Sequence, residues 1–258
     1  MAAALIQKSG RMLLLAICGV ATFAAAASLS GTWKLNLAKS RLSGQTATIS
    51  KGASDIHHFE SEGFGYDFDL TGKEYPTPDG GTTSWRALDS TTWEVTNRMQ
   101  GKVIASYKLS AKGDVLTSIM KVTKPDGTTV AQNAVWQRVS SGEGLFGTWK
   151  AKEVKGAPTT LEIMVSGDNI TLSYPEFKQT STGSFDGKDN IMKTAGEDSK
   201  QTLAFEKTGP NTFRVTTKLN GKPMYTDVFT LAADGKTLTD DGNAVSVNEP
   251  TKAVYDRQ

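Results

Sequence analysis

Few residues in this chain have the types and spacing that catalysis or metal binding requires. The two histidines, His57 and His58, are adjacent. Because neighbouring side chains of a strand point to opposite faces, they are not expected to bind one metal ion, and we interpret both as a solvated edge or loop pair. No serine lies in a nucleophile-elbow pattern. We therefore predict a non-enzymatic protein with no catalytic residues, no metal site and no cofactor.

Large aromatic side chains are the residues that indicate a function. The predicted middle strands of the N-terminal half contain a set of aromatic residues and one amide, namely Tyr66, Trp85, Trp93, Asn97 and Tyr107. Aromatic walls with a few polar groups suit a pocket for a flat or lipid-like ligand. Core packing is the alternative for each aromatic residue, because a narrow barrel can fill its interior with side chains. We expect these five residues to be ligand-binding and the N-terminal half to be the main binding unit.

An internal duplication supplies the elements that would position these residues. The tetrapeptide GTWK at 31–34 recurs at 147–150. Further segments of the N-terminal half have similar counterparts in the C-terminal half, in the same order. The clearest pair, TTWEVTNRMQGK at 91–102 and NTFRVTTKLNGK at 211–222, is identical at five of twelve positions. Matches in a conserved order indicate two copies of one unit. With SSGEG at 140–144 as a short linker, we predict two domains, 28–140 and 145–258, each able to fold alone.

Each copy is predicted to be all-β. Short segments with apolar residues at every second position alternate with turn signals such as MQGK, SGDN, LNGK and ADGK. No stretch after the N-terminal segment keeps a helical period for three turns, and the connections are too short for parallel crossovers. About eight antiparallel strands per copy fit an up-and-down barrel or a small sandwich.

The start and end of each copy resemble those of a known superfamily. Each begins with Gly-x-Trp and ends with an arginine in the last strand. This pattern resembles the calycin superfamily of lipocalins, fatty-acid-binding proteins and avidin-like barrels, and the chain is similar to exported bacterial lipocalin-like proteins. The resemblance implies two tandem lipocalin-like β-barrels, in which the tryptophan closes one barrel end and the arginine lies across its indole. The structural pairs that it implies are Trp33 with Arg138 and Trp149 with Arg257.

Residues 1–27 have the pattern of a secretory signal peptide. The apolar run MLLLAICGVATFAAAA follows Lys8 and Arg11 and ends in an A-x-A cleavage pattern. It is shorter than the roughly 20 residues that a spanning helix needs, so no stable membrane span is expected after its removal. Acylation of Cys18 is not expected, because Ile17 stands where a lipoprotein signal requires a small residue. A mature chain without cysteine would be exported without disulfides.

Charge excludes one class of partner. Removal of the two basic residues of the signal peptide from the total of 29 leaves 27, which equals the 27 acidic residues. A net charge of zero argues against nucleic acid as a partner. We therefore predict a periplasmic or extracellular protein that binds or carries a small, largely apolar ligand in a β-barrel. The alternative is a structural or protein-interaction module of the cell envelope with packed barrels.

Overall fold

The computed structural model describes residues 28–42, 44–123, 128–156, 159–245 and 250–258. The predicted signal peptide, with Cys18, lies outside the described residues. The described chain is built of antiparallel strands, with one 3-10 turn at Pro175–Phe177, and it forms two barrels in tandem. The predicted all-β fold class is therefore confirmed. Among the described residues, no helix is long and apolar enough to cross a membrane.

The first barrel, here called the open barrel, consists of strands β2 to β11. Its strands are β2 (Thr46–Lys51), β3 (His57–Ser61), β4 (Phe64–Phe68), β5 (Thr71–Pro76), β6 (Thr82–Ala87), β7 (Thr92–Met99), β8 (Lys102–Lys112), β9 (Val115–Thr123), β10 (Thr129–Arg138) and β11 (Gly147–Gly156). The order around the sheet is β4-β3-β2-β11-β10-β9-β8-β7-β6-β5. Strands β4 and β5 form the two edges of this sheet and are not paired with each other, so the ring is nearly but not completely closed.

The second barrel, here called the closed barrel, has a complete ring of paired strands. Its strands are β1 (Gly31–Leu35), β12 (Thr160–Ser166), β13 (Asn169–Tyr174), β14 (Gln179–Ser184), β15 (Asp186–Thr194), β16 (Glu197–Gly209), β17 (Thr212–Leu219), β18 (Lys222–Leu231), β19 (Thr237–Ala244) and β20 (Thr251–Arg257). Strand β1 lies between β12 and β20 and closes the ring. A closed ring leaves no edge strand with unpaired backbone groups.

The two GTWK strands are exchanged between the repeats. Strand β1, from the first repeat, completes the barrel formed by the second repeat, and β11, from the second repeat, pairs with β10 and β2 of the first. The open barrel is consequently one continuous segment, 46–156. The closed barrel is divided, with β1 before that segment and β12–β20 after it. The strands therefore do not follow the predicted boundaries of 28–140 and 145–258.

The exchange corrects the predicted pairing of tryptophans and arginines. The guanidinium carbon of Arg257 lies 4.1 Å from the ring centroid of Trp33, and that of Arg138 lies 4.1 Å from the ring centroid of Trp149. The pairs Trp33–Arg138 and Trp149–Arg257 were wrong, because each tryptophan moves with its strand into the other repeat's barrel. Each of the four residues nevertheless takes part in a stack of an arginine on a tryptophan.

The closure geometry explains why glycine precedes each tryptophan by two residues. A Cβ atom added at Gly147 would lie 2.9 Å from Nη1 of Arg138, and one added at Gly31 would lie 2.5 Å from Nη1 of Arg257. Gly147 also has φ of +132°, a conformation that disfavours residues with a side chain. Glycine therefore leaves room for the arginine that covers the indole.

Candidate functional site: the cavity of the open barrel

The open barrel encloses a cavity of about 300 Å³. It extends from Trp149 to the side of the barrel that carries the β3–β4 and β5–β6 turns, here called the mouth, where Ser61, Phe64, Thr77 and Asp79 line it. The lining residues are Ala47, Ile49, Phe59, Ser61, Phe64, Tyr66, Thr77, Asp79, Thr82, Trp85, Val95, Asn97, Tyr107, Leu109, Leu116, Ser118, Trp136 and Trp149. The volume is at the lower end of the range for small-molecule pockets.

The strand register places the central lining residues in layers. Trp85 is paired with Val95, and Val95 with Tyr107, so β6, β7 and β8 contribute one layer. In the next layer toward the mouth, Thr83 is paired with Asn97. Because every second side chain of a strand faces the same side, these residues face the interior together.

Ring contacts fix the aromatic wall of the cavity. Trp85 stacks on Phe68 with ring centroids 4.2 Å apart, and Phe59 stacks on Tyr66 at 5.0 Å. Phe59 also contacts Trp85, with centroids 6.0 Å apart. Rings held by neighbouring rings lose little freedom when a ligand binds, so this wall is preorganised.

Four of the five residues predicted to bind ligand line this cavity. They are Tyr66, Trp85, Asn97 and Tyr107. Trp93 is not among the lining residues, although its strand partner Leu109 is one of them. Its side chain is buried in the hydrophobic cluster that includes Phe68 and Trp149. The structure thus brings four of them together, and their role in binding stays a prediction.

Four aromatic lining residues were not among the predicted binding residues. Phe59, Phe64 and Trp136 were not considered, and Trp149 was predicted only to close the barrel. Alternation along β10 is a signal that could have found Trp136, since it lies two residues before Arg138, which faces Trp149. Trp149 has both roles, with one side covered by Arg138 and the ring also lining the cavity.

The polar groups of the cavity are mainly neutral. Thr83 is fully buried, and its hydroxyl donates a hydrogen bond of 2.8 Å to Oδ1 of Asn97. Burial raises the pKa of the Tyr66 and Tyr107 hydroxyls, so both remain protonated at neutral pH. Asp79, near the mouth, accepts hydrogen bonds at Oδ1 from the Thr77 hydroxyl and the Gly81 amide.

The closed barrel contacts both turns that form the mouth. The Tyr225 hydroxyl donates a hydrogen bond of 3.0 Å to Glu62 in the β3–β4 turn. The Asn220 side chain donates to the carbonyl of Pro78, and the Lys200 amide donates to the carbonyl of Asp79, in the β5–β6 turn. The second barrel therefore restrains the opening of the first.

The adjacent histidines lie on opposite faces, as predicted. His58 is exposed and its Nδ1 lies 2.8 Å from Asp67. His57 is buried against Phe68 and Phe146, and burial lowers its pKa, so the predicted solvated position is wrong for this residue. No group of three or more potential metal ligands is found within the described ranges.

The interior of the closed barrel has a different character. Phe205, Phe213 and Phe229 are fully buried in its core, and the last two stack with ring centroids 4.9 Å apart. Two carboxyl groups, Asp227 and Asp240, lie on the adjacent strands β18 and β19. Burial raises the pKa of both, and repulsion by Asp227 further raises that of Asp240.

Fold and site together define a tandem two-barrel β protein with an aromatic-lined cavity in one barrel. No protein-family model matches the chain, and no curated protein is significantly similar to it in sequence. The functional argument therefore depends on the residues and geometry of the cavity.

Proposed function

We propose that this protein binds or carries a small, largely apolar molecule in the cavity of the open barrel, without catalysing a reaction. The observation that carries the proposal is the cavity of about 300 Å³ with its wall of Phe59, Tyr66 and Trp85. A barrel that served only as a packed module would fill such a space with its own side chains, as proteins generally do. Burial of a ligand's apolar surface against this wall would stabilise the complex.

The proposal includes a calycin-like barrel class and export from the cytoplasm. Gly-x-Trp in the first strand and an arginine on its indole support the calycin-like class. The N-terminal signal pattern supports a periplasmic or extracellular location, where a carrier would meet apolar molecules.

The test fills the cavity with a side chain. Ser118 on β9 lines the cavity, whereas its neighbour Thr117 faces the outside of the barrel. Ser118→Phe should place a phenyl ring in the ligand's volume, and Thr117→Phe adds the same ring outside it. The neutral fluorescent probe N-phenyl-1-naphthylamine reports binding by its emission.

We expect the unmodified protein and Thr117→Phe to bind the probe at micromolar concentration. Ser118→Phe should bind it at least about tenfold more weakly while keeping its melting temperature, which corresponds to a loss of about 1.4 kcal/mol. Equal binding by all three proteins would place the probe elsewhere. No binding by the unmodified protein would reject the carrier function in favour of a cell-envelope interaction module.

A further inference from the structure

The amide of Asn97 presents hydrogen-bond donors to the cavity. Its Oδ1 accepts the hydrogen bond from Thr83, which is fully buried beside it. The carbonyl side of the amide is therefore held by the protein, and the NH₂ group is the free end. Asn97 itself lines the cavity, so this free end is available to a ligand.

Trp85 adds a second donor in the same wall. Trp85 is only 3% exposed, and its indole Nε1 has no hydrogen-bond partner. The indole lies close enough to the Tyr66 hydroxyl to oppose the rise in the pKa of that hydroxyl. The two groups are nevertheless not in hydrogen-bonding geometry. A buried donor without an acceptor is costly, and an acceptor atom supplied by a ligand would remove that cost.

The charges around the cavity oppose an anionic ligand. None of the described residues that line it is a lysine, an arginine or a histidine. Asp79 is the lining residue with a carboxylate, and it lies near the mouth. A ligand carboxylate would therefore be buried without a counterion and would pass a like charge. An ammonium group, which has only donors, would find further donors at Asn97 and Trp85.

We propose that the ligand is a neutral, compact apolar molecule that carries a hydrogen-bond acceptor, such as a ketone, quinone or aldehyde oxygen. Its apolar body would lie against the Phe59, Tyr66 and Trp85 rings, and its oxygen would accept hydrogen bonds from Asn97 Nδ2 and Trp85 Nε1. This inference rests on the proposed carrier function and specifies the ligand class for the same cavity.

Three probes of nearly equal shape separate the possibilities. Fluorene is the hydrocarbon, 9-fluorenone adds one carbonyl oxygen, and fluorene-9-carboxylate adds a negative charge. Calorimetric titration of the full chain gives a dissociation constant for each probe. We expect fluorenone to bind, and the carboxylate to bind at least about tenfold more weakly, because its charge is uncompensated in the cavity.

Variants isolate the contribution of the donors from the different solubilities of the probes. The measured quantity is the ratio of the fluorene to the fluorenone dissociation constant, compared between proteins. Trp85→Phe removes one donor, and the double variant Thr83→Val with Asn97→Leu removes the other without leaving the Thr83 hydroxyl unpaired. Each of these donor variants should lower the ratio about three- to tenfold, which corresponds to the free energy of one hydrogen bond. Trp93→Phe, which changes a buried indole outside the lining, should leave the ratio unchanged.

The carbonyl stretching frequency of bound fluorenone gives a result that does not depend on a variant folding. A shift to lower frequency than in an alkane solvent is expected, because hydrogen bonding weakens the C=O bond. An alkane-like frequency, an unchanged ratio in both donor variants, or tightest binding of the carboxylate would overturn the inference while the carrier function stands. Binding of none of the three probes, nor of N-phenyl-1-naphthylamine, would instead reject the carrier function and this inference with it.

Discussion

Strand exchange predicts that Trp33 is energetically coupled to Arg257 and not to Arg138. Arg257 stacks on Trp33 with its guanidinium carbon 4.1 Å from the ring centroid, and its Nε and Nη1 donate to the carbonyls of Gly235 and Ser30. Arg138 makes the equivalent stack on Trp149 in the other barrel. Measurement of the coupling between each tryptophan and each arginine therefore shows which barrel contains each GTWK strand.

The magnitude follows from the contacts. A cation on an indole contributes about 0.5–1 kcal/mol when exposed and about 2 kcal/mol when desolvated. Trp33 is fully buried and Arg257 is half-buried, so we expect a coupling of about 1–2 kcal/mol. Arg257→Ala alone should cost roughly 2–4 kcal/mol, because it also leaves the carbonyls of Gly235, Ser30 and Ser28 without their donors.

A double-mutant cycle measures this coupling. The free energy of unfolding in urea, followed by circular dichroism, is compared for the unmodified protein, Trp33→Leu, Arg257→Ala and the double variant. The control cycle combines Trp33→Leu with Arg138→Ala, whose effects should add within about 0.5 kcal/mol. Coupling of Trp33 to Arg138, with none to Arg257, would refute the exchanged topology.

Two further predictions concern the barrels as units. The segment 44–156 contains all strands of the open barrel, so it should be soluble and unfold cooperatively by itself; a disordered fragment, beside a folded 28–140 fragment, would contradict this. In the closed barrel, burial raises the pKa of Asp227 to about 7 and of Asp240 to about 8, so the folded state holds more protons than the unfolded chain between about pH 4 and 8. The free energy of unfolding should therefore fall as pH rises through this window, by about 1.4 kcal/mol per pH unit for each extra proton. Asp240→Asn should flatten the curve and the exposed-site control Asp234→Asn should not, whereas an unchanged slope in Asp240→Asn would reject the explanation.

Much of the fold could be predicted because its signals are local. Alternation of apolar residues and the turn sequences identify the strands, and the duplicated Gly-x-Trp and terminal arginine identify the residues that close each barrel. The exchange of β1 and β11 could not be predicted in this way. Both strands begin with the same four residues, so each fits beneath either arginine. Which barrel a strand joins depends on where the chain runs after it, and alternation does not contain that information.

The site shows a second limit of sequence reasoning. Trp85 and Trp93 are both inward-facing and buried, and the pattern of alternation does not distinguish them. Trp85 is paired with Val95 and Trp93 with Leu109, and both of these partners line the cavity. Trp85 also lines it, whereas Trp93 does not, and this difference depends on the three-dimensional packing of the barrel. The hydrogen bond from Thr83 to Asn97 depends on the register between strands.

The two barrels of the duplicated chain differ in closure and in their interiors. The closed barrel has a complete ring and an aromatic core, and it holds Glu62 and Pro78 through Tyr225 and Asn220. Those contacts fix the turns around the mouth of the open barrel, where the edges β4 and β5 are unpaired with each other. A barrel with an unfilled interior and an incomplete ring lacks some of the packing that would keep its mouth in one shape. The hydrogen bonds from the closed barrel supply a restraint of this kind at both turns.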